Sequence, residues 1–453
     1  MPIAALELND ASLAMAGPGD VSLLGPGYAA DLDGVLRFGD EACALVRAKP
    51  RLAQRRYWAE MAEAPLPQPL ARCRSSADLV HEHLAHLWSL CAGADGVVLV
   101  GMPEWSAGQL GLLLGIARDI GMPVTGLVDA AVAASRRPCP GRSIWHLQAT
   151  LENAFITRVG QEGGAARFVA RETVERCGIE ALERGCAAFI ARQFVEGSRF
   201  DPLHDAASEQ QLYDRLPGWL LVASRAAQAP ASMEYAGQRF EARLDASALR
   251  ERIARLWEPV TQKLRARFSP HEPSVLLVHP RLADFPGLLE TLSRLPACTV
   301  MLLEPGAAAR GALRLGAGNG AEGAVRLTTT LPFDQPPADM GPADASVAAP
   351  APSHIVFEGR AWRLSDGELH IGTGLEADEY GIRISADAAG VSRRHCTIRV
   401  ESGRVIVHDQ SRYGTLLNGH RIEGAAALQA GDVLSLGQPP RQFTLIVEVD
   451  RGA

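Results

Sequence analysis

The hydrophobic and polar positions of residues 1–315 follow one order twice. The first pass has strand patterns at residues 4–16, 21–28 and 35–37, a helix at 77–90, a buried strand at 97–101, a helix at 107–120, a strand at 124–128 and a helix at 129–134. The second has strands at 143–148, 154–159 and 166–169, a helix at 179–194, strands at 275–279 and 299–303, and helices at 286–295 and from 306. A three-strand meander followed by alternating helices and strands, repeated once, predicts two α/β lobes facing across a cleft, near residues 1–140 and 141–315.

Residues 316–353 differ in composition from the rest of the chain. They are rich in Gly, Ala and Pro, and such sequence buries too little apolar surface to offset its conformational entropy. We therefore expect a flexible linker. Gly318, Gly320 and Gly323 match a dinucleotide fingerprint by letter, but no helix pattern follows to supply the amides that hold a pyrophosphate. The threonines at 328–330 are either a docked edge strand or a phosphorylated ligand for the segment that follows.

Charge and composition exclude several classes of protein. The 453 residues contain 45 Lys and Arg against 52 Asp and Glu, a formal charge of −7, and no basic block suited to a nucleic acid. The first residues lack a signal-peptide pattern and no apolar run is long enough to span a bilayer, so we expect a cytoplasmic protein with no membrane partner. Eight cysteines without a C-x-x-C pair indicate neither a zinc site nor a disulfide framework.

Residues 354–450 form a third region, of short β-rich segments separated by turn residues, which predicts a β-sandwich. Two motifs stand in its turns: Gly-Val-Ser-Arg-Arg-His at 390–395, and Asp-Gln-Ser-Arg-Tyr-Gly-Thr-Leu-Leu-Asn-Gly at 409–419. Together, S-x-x-H and D-x-S-x-x-G-T-x-x-N-G resemble the forkhead-associated (FHA) domain, a phosphothreonine-peptide reader, over about residues 353–450.

The resemblance to the FHA domain implies roles for individual residues. The phosphopeptide would be bound by Ser392, Arg393, Arg412 and Asn418. The loops would depend structurally on Gly372, His395, Gly414 and Gly419, with the histidine bracing its loop from inside. Arginine donors suit a phosphate dianion because charge-assisted hydrogen bonds are the strong ones. The implied partner is a protein phosphorylated on threonine.

Two positions depart from the family pattern. Thr373 follows Gly372 where family members usually have arginine, and Tyr413 replaces the asparagine that usually grips the ligand backbone. Either Arg412 and Arg394 compensate for these changes, or the module binds its partner independently of phosphate.

The duplicated order of residues 1–315 resembles the ATPase superfamily of actin, sugar kinases and heat-shock chaperones. The phrases that carry this likeness are the helix, strand and Ala-rich helix at 108–134, and Gly311-Ala312 in the last helix. The resemblance implies a ribonuclease-H-like fold in duplicate. The expected fold class is thus multidomain: a duplicated actin-like α/β region at 1–315, the linker, and an all-β FHA sandwich at 354–450.

The superfamily's phosphate-binding motifs are mostly missing from this chain. The first hairpin keeps Asp10 and Ser12 as weak nucleotide-binding candidates, but Ala11 stands where a glycine is needed. The second, at 145–153, has neither the glycines nor the expected aspartate, and residues 279–287 lack the paired glycines of the third. Phosphoryl transfer needs amide cradles and a carboxylate-held metal, so we expect a pseudo-ATPase with no catalytic residues, no bound metal and no cofactor.

Other candidate chemistry has plainer explanations. His81, His83 and His86 do not share one helix face, so a solvated helix surface is a better interpretation than a metal site. Ser208 and Glu209 begin the first of two long helical insertions, predicted at 209–226 and 249–266, and serve as cap and dipole partner rather than as hydrolase residues.

The sequence therefore predicts a noncatalytic interaction or signalling protein whose FHA domain binds a phosphothreonine-containing partner, carried on a degenerate chaperone-ATPase-like domain. The alternative is a chaperone-like ATPase that uses ATP and Mg²⁺ and whose nucleotide state regulates recruitment through the FHA domain.

Overall fold

The chain divides into two compact units in a computed structural model, Met1–Gln335 and Pro336–Ala453. The structure describes residues 2–446 except 18–19, 92, 270, 316–324, 335–351, 358–359, 365–366, 377–378, 386–387, 402–403, 418–419, 423, 430–431 and 439. No helix among these residues is long and apolar enough to cross a membrane.

The first unit contains two six-stranded sheets. Across the first sheet the strands run Leu327–Thr328, Val124–Asp129, Gly96–Gly101, Ile3–Glu7, Ala14–Ala16 and Val21–Leu23. Across the second they run Cys298–Leu302, Ser274–Val278, Ser143–Ala149, Ala154–Glu162, Ala165–Val174 and Thr330–Pro332. Each sheet has an antiparallel meander whose first strand pairs in parallel with a later strand, which pairs in parallel with another. The strand order therefore repeats as predicted, but the first meander is not made of the predicted segments. The strand predicted at 4–16 is two strands of this meander, and the strand predicted at 35–37 lies in a separate sheet.

Smaller sheets complete the strands of the first unit. They are Ala29–Leu32 with Val35–Phe38 and Ala53–Gln54, the pair Pro65–Leu70 and Cys73–Ser75, and the hairpin Gln228–Tyr235 and Gln238–Asp245. The hairpin has no counterpart among the sequence predictions.

Local sequence accounts for where two of the longer helices begin. The helices are Gly39–Cys43, Ser76–Leu90, Ala107–Asp119, Ala130–Ala134, Ile179–Ser198, Ala206–Arg225, Ala246–Leu256, Glu258–Arg267, Leu288–Leu292 and Ala307–Ala312, with 3₁₀ turns at Pro50–Leu52, Pro280–Asp284 and Leu313–Leu315. Ser75 and Ser106 each begin a helix with a capping box, in which side chain and backbone satisfy each other's donors.

Three predictions about the helices are wrong. The helix predicted at 249–266 is two helices that meet at Trp257, where Pro259 cannot donate to the preceding turn. Asp205, not Ser208, caps the helix of the first insertion. His83 is buried, stacked on Phe38, and accepts from the Trp58 indole at 3.2 Å, so it does not lie on a solvated surface.

A shared apolar core joins the two sheets. It includes Val98 and Val128 from the first sheet and Ile144 and Val275 from the second. Alanine-rich helices Ala130–Ala134 and Ala307–Ala312 add their buried faces to this core and touch each other at Gly311, where a Cβ would overlap the Ala133 carbonyl. The two lobes are thus one packed body.

A structured segment lies within the predicted linker. We call residues 325–334 the strap. Its strand Leu327–Thr328 pairs with Val124–Asp129 at the edge of the first sheet, and Thr330–Pro332 pairs with Ala165–Val174 at the edge of the second. Arg136 fixes its end through an ion pair with Asp334 at 2.8 Å. The first unit therefore extends beyond residue 315. Thr328 and Thr330 lie in the docked edge strands, and Thr329 joins them.

The second unit is a β-sandwich around its own core. One sheet has, in order, Arg360–Arg363, His354–Phe357, Arg441–Ile446, Val433–Leu436, Leu416–Leu417 and His420–Arg421. The other has Gly381–Arg383, Leu369–Gly372, Cys396–Glu401, Arg404–Asp409 and Ala425–Leu428. Side chains such as Ile371, Val407, Leu434 and Phe443 fill the space between them.

Candidate functional site

The candidate ligand-binding surface of the sandwich is formed by two loops at one end of adjacent strands. We call residues 388–395 the serine loop and residues 410–415 the tyrosine loop. The serine loop leads into Cys396–Glu401, and the tyrosine loop follows Arg404–Asp409, which pairs with that strand. The two loops are joined directly, because the backbone N–H of Arg412 donates to Ser392 Oγ at 3.2 Å.

His395 holds both loops from inside the sandwich. Its side chain is buried, Nδ1 accepts from the Ser392 backbone N–H at 3.0 Å, and Nε2 lies 3.3 Å from the Gly414 carbonyl. The first contact needs an unprotonated Nδ1, so the proton of the neutral ring is on Nε2 and donates to Gly414. Burial lowers the pKa of His395, which favours this neutral form.

Gly372 allows the serine loop to lie against the end of its neighbouring strand. A Cβ at Gly372 would overlap the Arg393 carbonyl oxygen. The next two backbone amides, of Thr373 and Gly374, donate to the Ser392 and Arg393 carbonyls at 3.2 and 2.9 Å. The glycine is therefore required by close backbone approach, and it fixes the position of the loop that carries Ser392.

Asp409 organises the tyrosine loop. Its carboxylate accepts from the Ser411 backbone N–H at 3.0 Å and from the Thr415 hydroxyl at 2.9 Å. Burial alone would raise its pKa, but these hydrogen bonds hold the pKa below its usual range, so the carboxylate is ionised. Gly414 accepts a φ of +88° that a side chain would oppose.

The side chains predicted to contact the phosphopeptide differ in whether they are free to bind it. Arg393 and Arg412 are exposed, and neither side chain has a hydrogen bond or ion pair within the part of the chain that the structure describes. Tyr413, 65 % exposed, also points to solvent. Arg394 forms an ion pair with Glu379. Asn418 and Gly419 lie outside the described residues.

Arg421 is a cation at this site that the sequence analysis missed. It lies in the strand His420–Arg421, which pairs antiparallel with Leu416–Leu417, and its Nε is 2.6 Å from where a Cβ of Gly414 would be. The signal in the sequence was its place two residues after Asn418-Gly419, a dipeptide typical of β-hairpins.

A second set of turns meets between the two sheets of the first unit, at the predicted remnant of a nucleotide site. Asp10 is 1 % exposed, and its Oδ1 accepts from the Leu151 backbone N–H at 2.8 Å. Asn9 donates from Nδ2 to the Ala149 carbonyl at 3.1 Å. Ser12 contributes its backbone N–H to the Asn9 carbonyl within the first turn. The two turns therefore bond to each other.

Burial perturbs the carboxyls beside these turns. Burial is the main cause that raises the pKa of Asp10 well above its usual range, and the charge of Glu104 adds to it. Burial likewise raises the pKa of Glu104 to about 7, although the Thr150 hydroxyl, which donates to Oε1 at 3.1 Å, acts in the opposite direction. Among the described residues no group of three or more His, Cys, Asp or Glu side chains could hold a metal ion.

Comparison with known families identifies the second unit. Residues 370–437 match the family model of the FHA domain, and this span contains Gly372, the serine loop and the tyrosine loop. The chain therefore carries an FHA domain, a module known for phosphopeptide-mediated protein interaction. No curated protein matches the chain significantly, and no family match supports the resemblance of residues 1–315 to the actin superfamily.

Proposed function

We propose that this is a noncatalytic interaction protein that recruits a partner phosphorylated on threonine through its FHA domain. The observation that carries the proposal is that Ser392, braced by the buried His395, lies next to Arg393, which is exposed and has no side-chain partner among the described residues. A hydroxyl and a guanidinium on adjacent residues of one braced loop suit a phosphate dianion. The net charge of −7 supports a protein ligand rather than a nucleic acid.

We also propose that the first unit is a degenerate member of the actin and heat-shock-chaperone ATPase superfamily without ATPase activity, working in the cytoplasm. The repeated strand order and the helices crossing at Gly311 support the likeness. The loss of activity is supported by the turns at Asp10 and Leu151, which bond to each other where that superfamily cradles phosphates. A nucleotide-gated mechanism would require these turns to separate.

The test of the FHA proposal is binding of the full-length protein to a degenerate peptide library with a fixed central phosphothreonine. Matched libraries carry phosphoserine or unphosphorylated threonine at that position. We expect binding to the phosphothreonine library at micromolar concentration and none to the unphosphorylated one. Equal binding to phosphorylated and unphosphorylated threonine would contradict a phosphate-reading function and favour a phosphate-independent partner surface.

A further inference from the structure

The hairpin of the first unit is a sheet of two strands, so each strand has one edge that no third strand covers. We call Gln228–Tyr235 the inner strand and Gln238–Asp245 the outer strand. Within the part of the chain that the structure describes, they pair only with each other. The hairpin packs on the helices Ile179–Ser198 and Ala206–Arg225. An uncovered strand edge is a template for pairing with another chain, so what protects each edge decides what the hairpin can bind.

The edge of the inner strand is closed by side chains of the second of these helices. Gln211 donates to the Glu234 carbonyl at 2.9 Å and accepts from the Glu234 backbone N–H at 3.2 Å. Arg215 donates to the Ser232 carbonyl at 3.0 Å. Pro230, further along the same edge, has no N–H to pair. These contacts occupy the groups that an added strand would need.

The edge of the outer strand is open. Because the Glu234 backbone bonds outward to a helix, Glu234 and Arg239 form a pair whose backbone groups face away from the hairpin. Alternation along the strand then turns the backbone groups of Arg239, Glu241 and Arg243 outward, and no hydrogen bond to them is present among the described residues. The first helix reaches this edge at Gly197, which has no side chain to cover the Glu241 carbonyl.

Space exists beside the open edge. A groove of about 820 Å³ is lined in part by Arg239, Glu241 and Arg243 of the outer strand and by Gln193 and Glu196 of the first helix. The three side chains of the outer strand are exposed. Solvent, and therefore another strand, has access to this edge.

Charge alternates along the exposed face of the outer strand. Arg239, Glu241, Arg243 and Asp245 occupy every second position, so their side chains share one face. Arg239 contacts Glu241 within the strand at 3.0 Å. Arg243 has no ion pair among the described residues. The strand therefore presents plus, minus, plus and minus in order, with one cation still to be paired.

This alternation is complementary to itself. If two copies of the outer strand meet antiparallel about Ala242, Glu241 of each lies opposite Arg243 of the other. In the same register Arg239 lies opposite Asp245. Opposite charges directly across a strand pair are stabilising and like charges are destabilising. A register about Glu241 would instead set Arg239 against Arg243, so the charges favour the register about Ala242.

We propose that the outer strand is a homodimer interface, at which two copies of the chain join antiparallel about Ala242 into one four-stranded sheet. In this register the outward backbone groups of Glu241 and Arg243 face each other, as a hydrogen-bonded antiparallel pair requires. The dimer does not depend on the proposed binding of phosphothreonine. It carries two FHA domains, so a partner phosphorylated at two sites gains from bivalent attachment.

The test is the molar mass of the full-length protein, measured by size-exclusion chromatography with multi-angle light scattering over a dilution series. We expect twice the 48.3 kDa mass of one chain at the higher concentrations. A mass of one chain at every concentration would overturn the inference and leave the open edge to a strand of another protein.

Charge variants test the register. Glu241→Arg places arginine opposite Arg243, and Arg243→Glu places glutamate opposite Glu241, so each should weaken dimerisation by about tenfold or more. The double variant Glu241→Arg/Arg243→Glu restores opposite charges and should recover the dimer. Arg255→Glu is the matched control, since Arg255 is an exposed arginine of the helix Ala246–Leu256, and it should leave the mass unchanged. Circular dichroism checks that each variant is folded.

Two further outcomes would overturn the inference. A dimer that withstands both single variants uses another surface of the chain. A dimer that is lost in the single variants and is not recovered in the double variant does not have the register about Ala242. Binding of a phosphothreonine peptide by the monomeric variants is measured separately, so failure of the dimer and failure of the proposed function are distinguishable.

Discussion

The turns between the two sheets of the first unit and the loops of the FHA domain are built from similar parts but use their polar groups differently. In both places a side-chain oxygen, from a carboxylate or a hydroxyl, accepts a hydrogen bond from a backbone N–H and so fixes a short turn. At the first, the Asp10 carboxylate is buried and accepts from Leu151. At the second, Asp409 serves its own loop, and Arg393 and Arg412 remain without partners among the described residues.

This difference indicates which of the two sites is available to a ligand. A buried polar group needs its hydrogen bonds, and a ligand that displaces them must replace every one. At the first site, the Asp10 and Asn9 side chains are already engaged with Leu151 and Ala149 across the two turns. The FHA loops instead present exposed guanidinium groups that have no partner among the described residues. We therefore expect a ligand to bind at the FHA loops, where the buried polar groups have hydrogen-bond partners and the exposed guanidinium groups do not.

His395→Ala should have the largest effect in this comparison. It removes the internal partner of Ser392 N–H and Gly414 carbonyl and leaves a cavity, so we expect the FHA unit to lose about 3 kcal/mol of stability. Thermal unfolding of the full chain measures this loss. Arg394→Ala, at the neighbouring exposed position, is the control and should shift the midpoint little; equal shifts would contradict an internal role for His395.

Ser392→Ala should next weaken a phosphothreonine peptide without unfolding the domain. One charge-assisted hydrogen bond contributes about 1.5 to 3 kcal/mol, which is roughly tenfold to a hundredfold in affinity. Titration by fluorescence anisotropy gives the ratio, and the unchanged unfolding midpoint is the control. An affinity within about twofold of the parent would place the phosphate elsewhere.

Asp10→Ala and Asp10→Asn test the buried turns. The alanine variant leaves Leu151 N–H buried without its acceptor, at a cost of about 1 to 3 kcal/mol, whereas asparagine keeps an oxygen there. Because the pKa of Asp10 is raised in the folded protein, its contribution to stability is present below the ordinary pKa and is lost as pH rises through the folded one. The stability of Asp10→Asn relative to the parent should therefore increase as pH rises. A difference in unfolding free energy that stays constant with pH would contradict this.

MgATP should produce the smallest effect of all, because we expect it to leave the melting temperature of the first unit unchanged. At millimolar nucleotide, a ligand with micromolar affinity would stabilise the first unit by about 4 kcal/mol and raise its melting temperature by several degrees. We expect a shift of less than about one degree, with Asp10→Asn behaving like the parent. A clear shift would show that the turns at Asp10 and Leu151 separate to admit nucleotide.

The sequence predicted where many of the strands lie along the chain, because buried runs such as 97–101 and the alternation of 404–409 are local signals. It also placed Ser392 and His395 on one loop, since the motif fixes their spacing. The hydrogen bond from the Leu151 backbone to Asp10 and the ion pair of Arg394 with Glu379 could not be predicted from the sequence, because each joins separate segments. Arg421 was missed for the same reason: its contact with Gly414 depends on the direction in which the chain returns.

The strap limits how far the two lobes can move apart. Thr329 is the single residue between its two short strands, and its carbonyl accepts from Phe168 N–H at 2.8 Å. One extended residue spans at most about 3.6 Å, so the segment has almost no slack. Any separation of the sheet edges by more than a few ångströms must first unpair Leu327 or Leu331 from its sheet. Because Arg136 holds the end of the strap at Asp334, tension on the chain that follows would act first on this ion pair and only then on the two strands.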